Sequence, residues 1–338
     1  MSGRRITVIG DGAMATVCAL HLDGLGHRVT IWGPFAEHVE LLERTRRNDK
    51  YLPGIPLPES VRLTADEHQA AAGAELFVQA IPTQFVRSVC GRFAGHILPH
   101  VPIVSVAKGI EAQTLLRPTQ IIADALGRGP DAGPIAALSG PSIAKELARC
   151  LPATLCAAGA HAEFIRDVQS LFTTQWLRVY TNPDLLGVEL AGATKNVIAL
   201  AAGILDGLHA GYNAKSALLA RGLSEIIRLG TAMGAEAETF FGITGVGDLA
   251  TTCFCPEGRN RTCGELLGKG IKLDEALQQI HGVVEGIATT GAVMRLAEKH
   301  AVEMPITAAV NEVLFHGLDP IDAIGQLMTR RPKRERVG

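Results

Sequence analysis

The sequence predicts an α/β chain with a doubly wound, Rossmann-like N-terminal domain followed by an all-helical C-terminal domain. In the first half, short β-branched runs alternate with helical patterns, and the early runs are continuously apolar, which is typical of parallel strands covered by helices on both faces. From about Asn182 onward, helical patterns follow one another with no strand between them. A length of 338 residues also exceeds what one hydrophobic core usually supports.

Eight short β-branched runs are the candidate strands of the first domain. They cover residues 5–9, 28–32, 61–63, 76–80, 103–107, 135–138, 154–157 and 177–180. The helical patterns of the second half cover residues 185–205, 214–233, 274–279, 289–299 and 306–315. Because the residue before a proline is pushed out of the helical region, Asn182-Pro183 is a natural boundary. We therefore predict a first domain at 1–182, a second at 183–330 and a basic tail at 331–338.

Charge and cysteine usage exclude several classes of function. The 32 Lys and Arg and the 34 Asp and Glu are interspersed, so the sequence has no electrostatic footprint for nucleic acid or a membrane surface. The basic cluster of the tail, which is typical of a solvated chain end, is Arg330, Arg331, Lys333, Arg334 and Arg336. The seven cysteines are scattered and lack paired CxxC spacing, which favours reduced thiols and no metal site. Without a signal peptide or an apolar run of about 20 residues, we expect a soluble, cytoplasmic protein.

A glycine-rich turn follows the first strand and opens a helix. Gly10-Asp11-Gly12-Ala13-Met14-Ala15 matches the G-x-G-x-x-G/A pattern in its required strand-turn-helix context. Its first glycine permits the tight turn, the second lets the backbone approach a pyrophosphate, and the final small residue lets the helix lie close to the strand. The turn predicts a dinucleotide site, the alternative being a glycine turn that binds nothing. Ile31-Trp32-Gly33-Pro34, at the end of the second strand, carries neither the acid typical of NAD sites nor an arginine for NADP, so both cofactors stay open.

The stretch 185–200 is a helix with very few polar groups. Glu189, Gly192 and Asn196 share one side of it, and Lys195 lies beside them. An amine in such surroundings loses hydration, which suits it to proton transfer. The alternative is an ordinary ion pair between Lys195 and Glu189.

Two further segments of the second domain carry polar side chains after turns. Asp248 follows a glycine turn, with Thr252 four residues further on, so Asp248 is either a helix N-cap or a group that orients an amine. Arg259 and Asn260 lie in a predicted loop, where a guanidinium and an amide suit a phosphate monoester. A solvated loop charge is the alternative for Arg259.

In chain order these segments resemble the bacterial-type NAD(P)-dependent glycerol-3-phosphate dehydrogenase family, from Ile6 to about Pro305. The motifs that carry the resemblance are Gly10 to Ala15, Tyr51-Leu52-Pro53-Gly54-Ile55, Val106-Ala107-Lys108-Gly109-Ile110-Glu111, Ser139-Gly140-Pro141-Ser142, Gly192-Ala193-Thr194-Lys195-Asn196-Val197, Gly245-Val246-Gly247-Asp248-Leu249, Arg259-Asn260-Arg261 and Val283-Val284-Glu285-Gly286. The resemblance implies a dinucleotide-binding first domain, a substrate-binding second domain and a substrate site in the cleft between them. It implies interconversion of dihydroxyacetone phosphate and sn-glycerol 3-phosphate with NAD(P)H, which feeds glycerophospholipid synthesis.

The resemblance also implies roles for individual residues. Lys195 matches the family's proton acceptor for alcohol oxidation, and Asp248 would position it. The remaining catalytic matches are Lys108, Asn196 and Thr252. The substrate-binding matches are Lys108, Gly140, Ser142, Lys195, Asp248, Gly258, Arg259 and Asn260. The cofactor-binding matches are Gly10, Gly12, Ala13, Met14, Ala15, Lys108, Ala144, Arg259, Val283 and Glu285.

The sequence departs from the family pattern in two segments. Ala13-Met14 stands where the family usually has a serine and an aromatic residue, and Gly258 stands where a serine usually precedes the arginine. Each change removes a hydroxyl, one near the pyrophosphate and one near the substrate phosphate. We therefore expect altered affinities or an altered cofactor preference.

The nearest alternative functions are a ketopantoate reductase-like or hydroxyacyl-CoA dehydrogenase-like enzyme, and a non-catalytic NAD(P)H sensor. The two enzymes lack the combination of Lys195-Asn196 with Arg259-Asn260, and a sensor has no physical need for a proton-transfer set. The expected partner is a phosphorylated small molecule, with no nucleic acid and no membrane insertion. The Ala- and Gly-rich helices of the second domain favour a homodimer.

Overall fold

The computed structural model describes residues 3–129, 133–332 and 334–335, and the chain divides into two compact units. The first unit comprises Met1–Ala107 and Pro118–Leu185, and the second comprises Lys108–Arg117 and Leu186–Gly338. The predicted domains were continuous, whereas the segment Lys108–Arg117 leaves the first unit after a strand and groups with the second. We call this segment the strap. Lys333 and Arg336 of the predicted basic tail lie outside the described residues.

An eight-stranded sheet forms the centre of the first unit. Its strands are β1 (Arg5–Ile9), β2 (Arg28–Trp32), β3 (Arg62–Thr64), β4 (Leu76–Gln79), β5 (Ile103–Ser105), β6 (Ile135–Ser139), β7 (Ala153–Ala158) and β8 (Leu177–Asn182). They lie in the order β3-β2-β1-β4-β5-β6-β7-β8. Pairing is parallel from β3 to β6, antiparallel between β6 and β7, and parallel again between β7 and β8. The predicted Rossmann-like fold class is confirmed, but the reversal at β7 was not predicted.

Helices flank this sheet and complete its core. They are α1 (Ala13–Gly24), α2 (Ala36–Thr45), α3 (Glu67–Ala71), α4 (Thr83–Arg92), α5 (Pro118–Ala125), α6 (Ala144–Ala148) and α7 (Ala162–Phe172). Helix α1 packs against α6 and α7, whereas α4 packs against α5. The apolar strand residues are buried beneath them, as expected for strands that are covered by helices.

The second unit is helical throughout its described residues, as predicted. Its helices are α8 (Leu185–Gly207), α9 (Gly211–Ala232), α10 (Ala237–Phe241), α11 (Asp248–Phe254), α12 (Arg259–Gly268), α13 (Leu273–Gln278), α14 (Glu285–Lys299), α15 (Pro305–Phe315) and α16 (Pro320–Met328). A π-helical segment, Ile243–Gly247, leads into α11 where a glycine turn was predicted. The predicted loop at Arg259 and Asn260 was also wrong, because both residues open α12.

Helices α8 and α12 cross at glycines. A Cβ on Gly203 would lie 1.9 Å from the Arg261 carbonyl oxygen, and a Cβ on Gly264 would lie 2.0 Å from the Leu200 carbonyl oxygen. Only hydrogen fits at such distances, so the two backbones are in direct contact. Helix α12 is therefore held by backbone contact rather than by a wide apolar stripe, which explains why hydrophobic periodicity did not predict it.

Helix α8 has the length and composition of a membrane span, with a mean hydropathy of 1.4 in its most apolar window. Within the described part of the chain it is the one helix that meets this test, and 94% of that window is buried. Its apolar run is interrupted by Glu189, Lys195 and Asn196, so the sequence predicted no membrane span here. The buried side chains of α8 belong to the core of the second unit.

Candidate active site

The glycine-rich turn lies between β1 and α1. Gly10 has φ +125°, and a Cβ there would lie 2.8 Å from the Ala80 carbonyl oxygen, so the position requires glycine. Gly12 precedes α1 in an extended conformation without a capping side chain, and no atom lies within 4 Å of where its Cβ would be. The amides of the first turn of α1 are thus available to an anion that approaches over Gly12. These features fit a dinucleotide pyrophosphate.

The other cofactor and substrate predictions in the first unit follow β6. Gly140 has φ +125°, Ser142 follows it, and Ala144 begins α6. All three lie at the carboxyl end of a parallel strand, where open α/β sheets bind their ligands. Ala15 is fully buried against the sheet, while Ala13 and Met14 are partly buried beside the same core.

Three charged side chains meet inside the second unit. Asp248 accepts a hydrogen bond from Lys195 Nζ at 2.7 Å through Oδ1 and from Lys108 Nζ at 2.7 Å through Oδ2. Lys195 also donates to the hydroxyl of Thr252. Asp248 and Lys195 are 1% and 6% exposed, so their charges are almost entirely shielded from water. We call these residues the lysine–aspartate cluster.

The cluster decides between the roles considered for its members. Asp248 is the first residue of α11, and the hydrogen bonds described for its carboxylate come from Lys108, Lys195 and Thr252, so the carboxylate faces the two lysines. Lys195 donates to Asp248 and Thr252, while the Glu189 carboxylate accepts a hydrogen bond from Arg117 of the strap. The hydrogen bonds described for Lys195 therefore lie with Asp248 and Thr252 rather than with Glu189.

Two members of the cluster, Lys108 and Asp248, have shifted pKa values. Burial lowers the pKa of Lys108 to about 8, with the Lys195 ammonium acting in the same direction and the Asp248 carboxylate opposing both. Burial acts to raise the pKa of Asp248, but the two ammonium groups outweigh it and hold that pKa below its ordinary value. The cluster therefore keeps the Asp248 carboxylate ionised next to the Lys108 amine, which loses its proton more readily than an exposed lysine.

A chain of amide hydrogen bonds fixes the strap beside the cluster. Asn196 Nδ2 donates to the Lys108 carbonyl oxygen at 3.0 Å, and Asn260 Nδ2 donates to Asn196 Oδ1 at 3.0 Å. The Gly286 amide donates to Asn260 Oδ1 at 2.9 Å. Helices α8, α12 and α14 are thereby linked to the strap, and the Asn260 amide group holds the arrangement together.

Arg259 lies at the first position of α12, and its side chain is exposed. Its guanidinium lies against Gly282, where a Cβ would be 2.9 Å from Arg259 Nη1, and the Glu285 carboxylate is close enough to interact with it. Gly258 precedes α12 without a capping side chain, and the first turn of α12 carries no acidic residue. The structure thus places Arg259, Val283 and Glu285 in one region and provides a guanidinium and free amides for an anion.

One buried ion pair next to the site, between Arg117 and Glu189, was not predicted from the sequence. Arg117 donates to Glu189, whose side chain is 1% exposed, and this pair ties the end of the strap to α8. Glu189 was noticed as a polar group on an apolar helix, but its partner lies 72 positions away. No local pattern identifies a partner at that separation.

Two family profiles match this chain. The profile described as the NAD-dependent glycerol-3-phosphate dehydrogenase N-terminus matches residues 5–165, and the corresponding C-terminus profile matches residues 184–325. The NAD(P)+ glycerol-3-phosphate dehydrogenase 2 of Salinibacter ruber is 47% identical over 330 residues, covering 98% of this chain and 96% of the relative. The NAD(P)+ glycerol-3-phosphate dehydrogenase of Bacillus pumilus is 46% identical, covering 97% of this chain and 94% of the relative. The crystal structure of glycerol-3-phosphate dehydrogenase from Coxiella burnetii has a TM-score of 0.92 at 36% identity, covering 97% of this chain and 99% of that one.

Proposed function

The chain belongs to the NAD-dependent glycerol-3-phosphate dehydrogenase family, and from that premise we propose that it interconverts dihydroxyacetone phosphate and sn-glycerol 3-phosphate. It is an oxidoreductase, and its cofactor is NAD or NADP. The relatives' names favour this function over the ketopantoate reductase-like, hydroxyacyl-CoA dehydrogenase-like and sensor alternatives. The observation that carries the proposal is the lysine–aspartate cluster, because it supplies a buried amine with a fixed counter-charge.

We assign the proton-transfer step to Lys195. Bound NADH or NADPH supplies the hydride that reduces the C2 carbonyl of dihydroxyacetone phosphate. Lys195, as an ammonium, donates its proton to the C2 oxygen as negative charge develops on it. In the oxidation direction neutral Lys195 accepts that proton back.

Three neighbours of Lys195 support this step. Asp248 balances the ammonium charge and fixes its position through a 2.7 Å hydrogen bond. The Thr252 hydroxyl accepts a second hydrogen bond from Lys195 and so restricts where its remaining proton points. Lys108 provides a second positive charge next to Asp248, and Asn196 holds the backbone of Lys108 in place.

The substrate phosphate is assigned to the start of α12. Arg259 offers a planar guanidinium, and the uncapped first turn of α12 adds backbone amides. Gly258 lacks the hydroxyl expected at this point, but its missing side chain leaves the amides open to the anion. Asn260 acts here as a positioning residue. Gly140 and Ser142 are also proposed to bind substrate, on their match to the family's motif.

The cofactor is assigned to the turn between β1 and α1. Gly10, Gly12 and Ala15 shape the pyrophosphate site, and the backbone amides of Ala13 and Met14 would face it. The proposed contacts beyond this turn are Lys108, Ala144, Arg259, Val283 and Glu285.

Three further properties are proposed for the whole protein. It works in the cytoplasm, and its product feeds glycerophospholipid synthesis. It forms a homodimer through its second unit. A cavity of about 1160 Å³ beside α9, α15 and α16, lined mainly by aliphatic side chains, supports this assembly.

A parallel substrate comparison tests the proposed function. Oxidation of NADH and NADPH is measured with dihydroxyacetone phosphate, hydroxypyruvate and ketopantoate. We expect turnover with dihydroxyacetone phosphate to exceed turnover with the other two by at least about 10²-fold, because only that substrate has a phosphate for Arg259. Faster oxidation with ketopantoate, or none with any of the three, would reject the proposal.

Arg259→Ala tests the assignment of the phosphate. We expect kcat/KM for dihydroxyacetone phosphate to fall by about tenfold to a hundredfold, since a hydrogen bond to a charged group contributes about 1.5–3 kcal/mol. With the cofactor at saturation, activity on phosphate-free dihydroxyacetone should fall much less, and Arg166→Ala, which removes an exposed guanidinium from α7, should change neither. Unchanged KM and kcat/KM in Arg259→Ala would remove Arg259 from the phosphate site.

A further inference from the structure

The adenosine end of a dinucleotide site distinguishes NAD from NADP. In Rossmann-like domains an acid at the end of the second strand holds the ribose 2′-hydroxyl of NAD, whereas an arginine there accommodates the 2′-phosphate of NADP. Here β2 ends at Trp32 and is followed by Gly33 and Pro34, so the usual position carries no acid.

The structure brings a carboxylate to this place from the glycine-rich turn. The Gly10 amide donates to the Trp32 carbonyl oxygen at 2.8 Å, so the turn lies directly beside the end of β2. A Cβ on Gly33 would lie 2.9 Å from Asp11 Oδ2 and 3.1 Å from Asp11 Cβ. Gly33 therefore leaves the space that the Asp11 side chain fills.

Hydrogen bonds hold Asp11 in this position. His38 Nδ1 lies 2.8 Å from Asp11 Oδ2, and the Asn48 side-chain amide donates to the Asp11 carbonyl oxygen at 2.8 Å. The hydrogen bond described for the carboxylate uses Oδ2, and the side chain as a whole is 11% exposed. Asp11 thus keeps one oriented acceptor oxygen for a ligand hydroxyl.

The guanidinium of Arg92, which lies at the same end of β2, does not offset the negative charge of Asp11. Arg92 stacks over the Trp32 ring with its guanidinium carbon 4.7 Å from the ring centroid, at the same end of β2. However, its Nε is ion-paired with the Glu67 carboxylate, so its charge is already balanced. His38 Nδ1 lies at hydrogen-bond distance from Asp11 Oδ2, on the side away from Asp11 Oδ1.

We infer that Asp11 makes this enzyme select NAD(H) over NADP(H), by accepting a hydrogen bond from the ribose 2′-hydroxyl and repelling a 2′-phosphate. The inference rests on the proposed function for the identity of the cofactor site, and it concerns binding alone. A 2′-phosphate carries a charge of about −1.5 to −2 at neutral pH, which the Asp11 carboxylate opposes at close range.

Equilibrium binding without substrate tests the inference. Isothermal titration calorimetry gives Kd for NADH and NADPH with the wild-type chain, Asp11→Asn and Glu37→Gln. We expect the wild type to bind NADH at least about tenfold more tightly than NADPH. Asp11→Asn keeps the shape but removes the charge, so the ratio should fall at least about fivefold through tighter NADPH binding. Glu37→Gln removes an exposed charge from the same helix as His38 and should keep the wild-type ratio.

The outcomes separate this inference from the proposed function. Wild-type binding of NADPH as tight as that of NADH, or an unchanged ratio in Asp11→Asn, would overturn the role of Asp11. Circular dichroism checks the fold of the variant, and if Asp11→Asn does not fold, the wild-type ratio and Asp11→Ser decide the matter. Selective NADH binding without reduction of dihydroxyacetone phosphate would reject the proposed function and still support the inference.

Discussion

Replacing Lys195 by alanine is expected to lower kcat by about 10²- to 10⁴-fold, the usual contribution of a positioned proton donor. The fold should survive, because Asp248 keeps its 2.7 Å ion pair with Lys108 and no buried charge is left without a partner. The measurement is the steady-state rate of NADH or NADPH oxidation with dihydroxyacetone phosphate, together with Kd for the cofactor. We expect the cofactor Kd to change little.

The matched control for Lys195→Ala is Lys269→Ala. Lys269 is an exposed lysine that pairs with Glu265 at i, i+4, so its removal also breaks a lysine–carboxylate bridge. That variant should retain full activity, since an exposed pair contributes about 0–1 kcal/mol and lies on the surface. A kcat near the wild-type value in Lys195→Ala would show that another group moves the proton.

Asp248→Asn is expected to lower both activity and stability, because it leaves two buried ammonium groups facing a neutral amide. Breaking a buried ion pair by removing one partner costs about 3–5 kcal/mol in the free energy of unfolding. The kcat should fall as well, since Lys195 loses the group that positions it. Guanidinium denaturation at pH 7 and initial rates measure the two effects.

The pH dependence of stability gives this variant a specific signature. Lys108 has a pKa of about 8 in the folded wild type against an ordinary value of 10.5, so the unfolded chain binds more protons between these values. Stability due to Lys108 therefore rises with pH across that window. Because the Asp248 carboxylate raises the pKa of Lys108 against the effect of burial, Asp248→Asn should lower that pKa below its wild-type value. The variant should therefore recover part of its loss relative to the wild type as the pH rises toward about 8, and no further part above it.

Asp274→Asn is the control for Asp248→Asn, because it removes an exposed carboxylate from α13 in the same unit. Its free energy of unfolding should stay within about 0.5 kcal/mol of the wild-type value at both neutral and alkaline pH. A loss in Asp248→Asn that is no larger than this, or one that does not depend on pH, would mean that the two ammonium groups are not coupled to Asp248.

Hydrophobic periodicity predicted the strands and helices whose own residues show a clear apolar pattern. The strands of the first unit are apolar runs bounded by turns, and the longest helices of the second unit have a clear helical period, so each was found. Helix α12 was missed because Gly203 and Gly264 replace side-chain packing by backbone contact. The π-helical segment Ile243–Gly247 was not predicted, because its two glycines are typical of a turn.

The sequence by itself determined which chemistry this protein carries: a glycine-rich turn for a dinucleotide, an amine on an apolar helix and a guanidinium after a glycine. Only the tertiary structure decided the pairings, because Asp248 meets Lys195 across 53 positions and Lys108 across 140. It likewise placed the Asp11 carboxylate beside the end of β2. The residues at that strand end, Trp32, Gly33 and Pro34, include no acid. The physical reason is that Coulomb attraction and hydrogen bonding act over a few ångströms in space, and chain separation does not reveal which groups the fold brings that close.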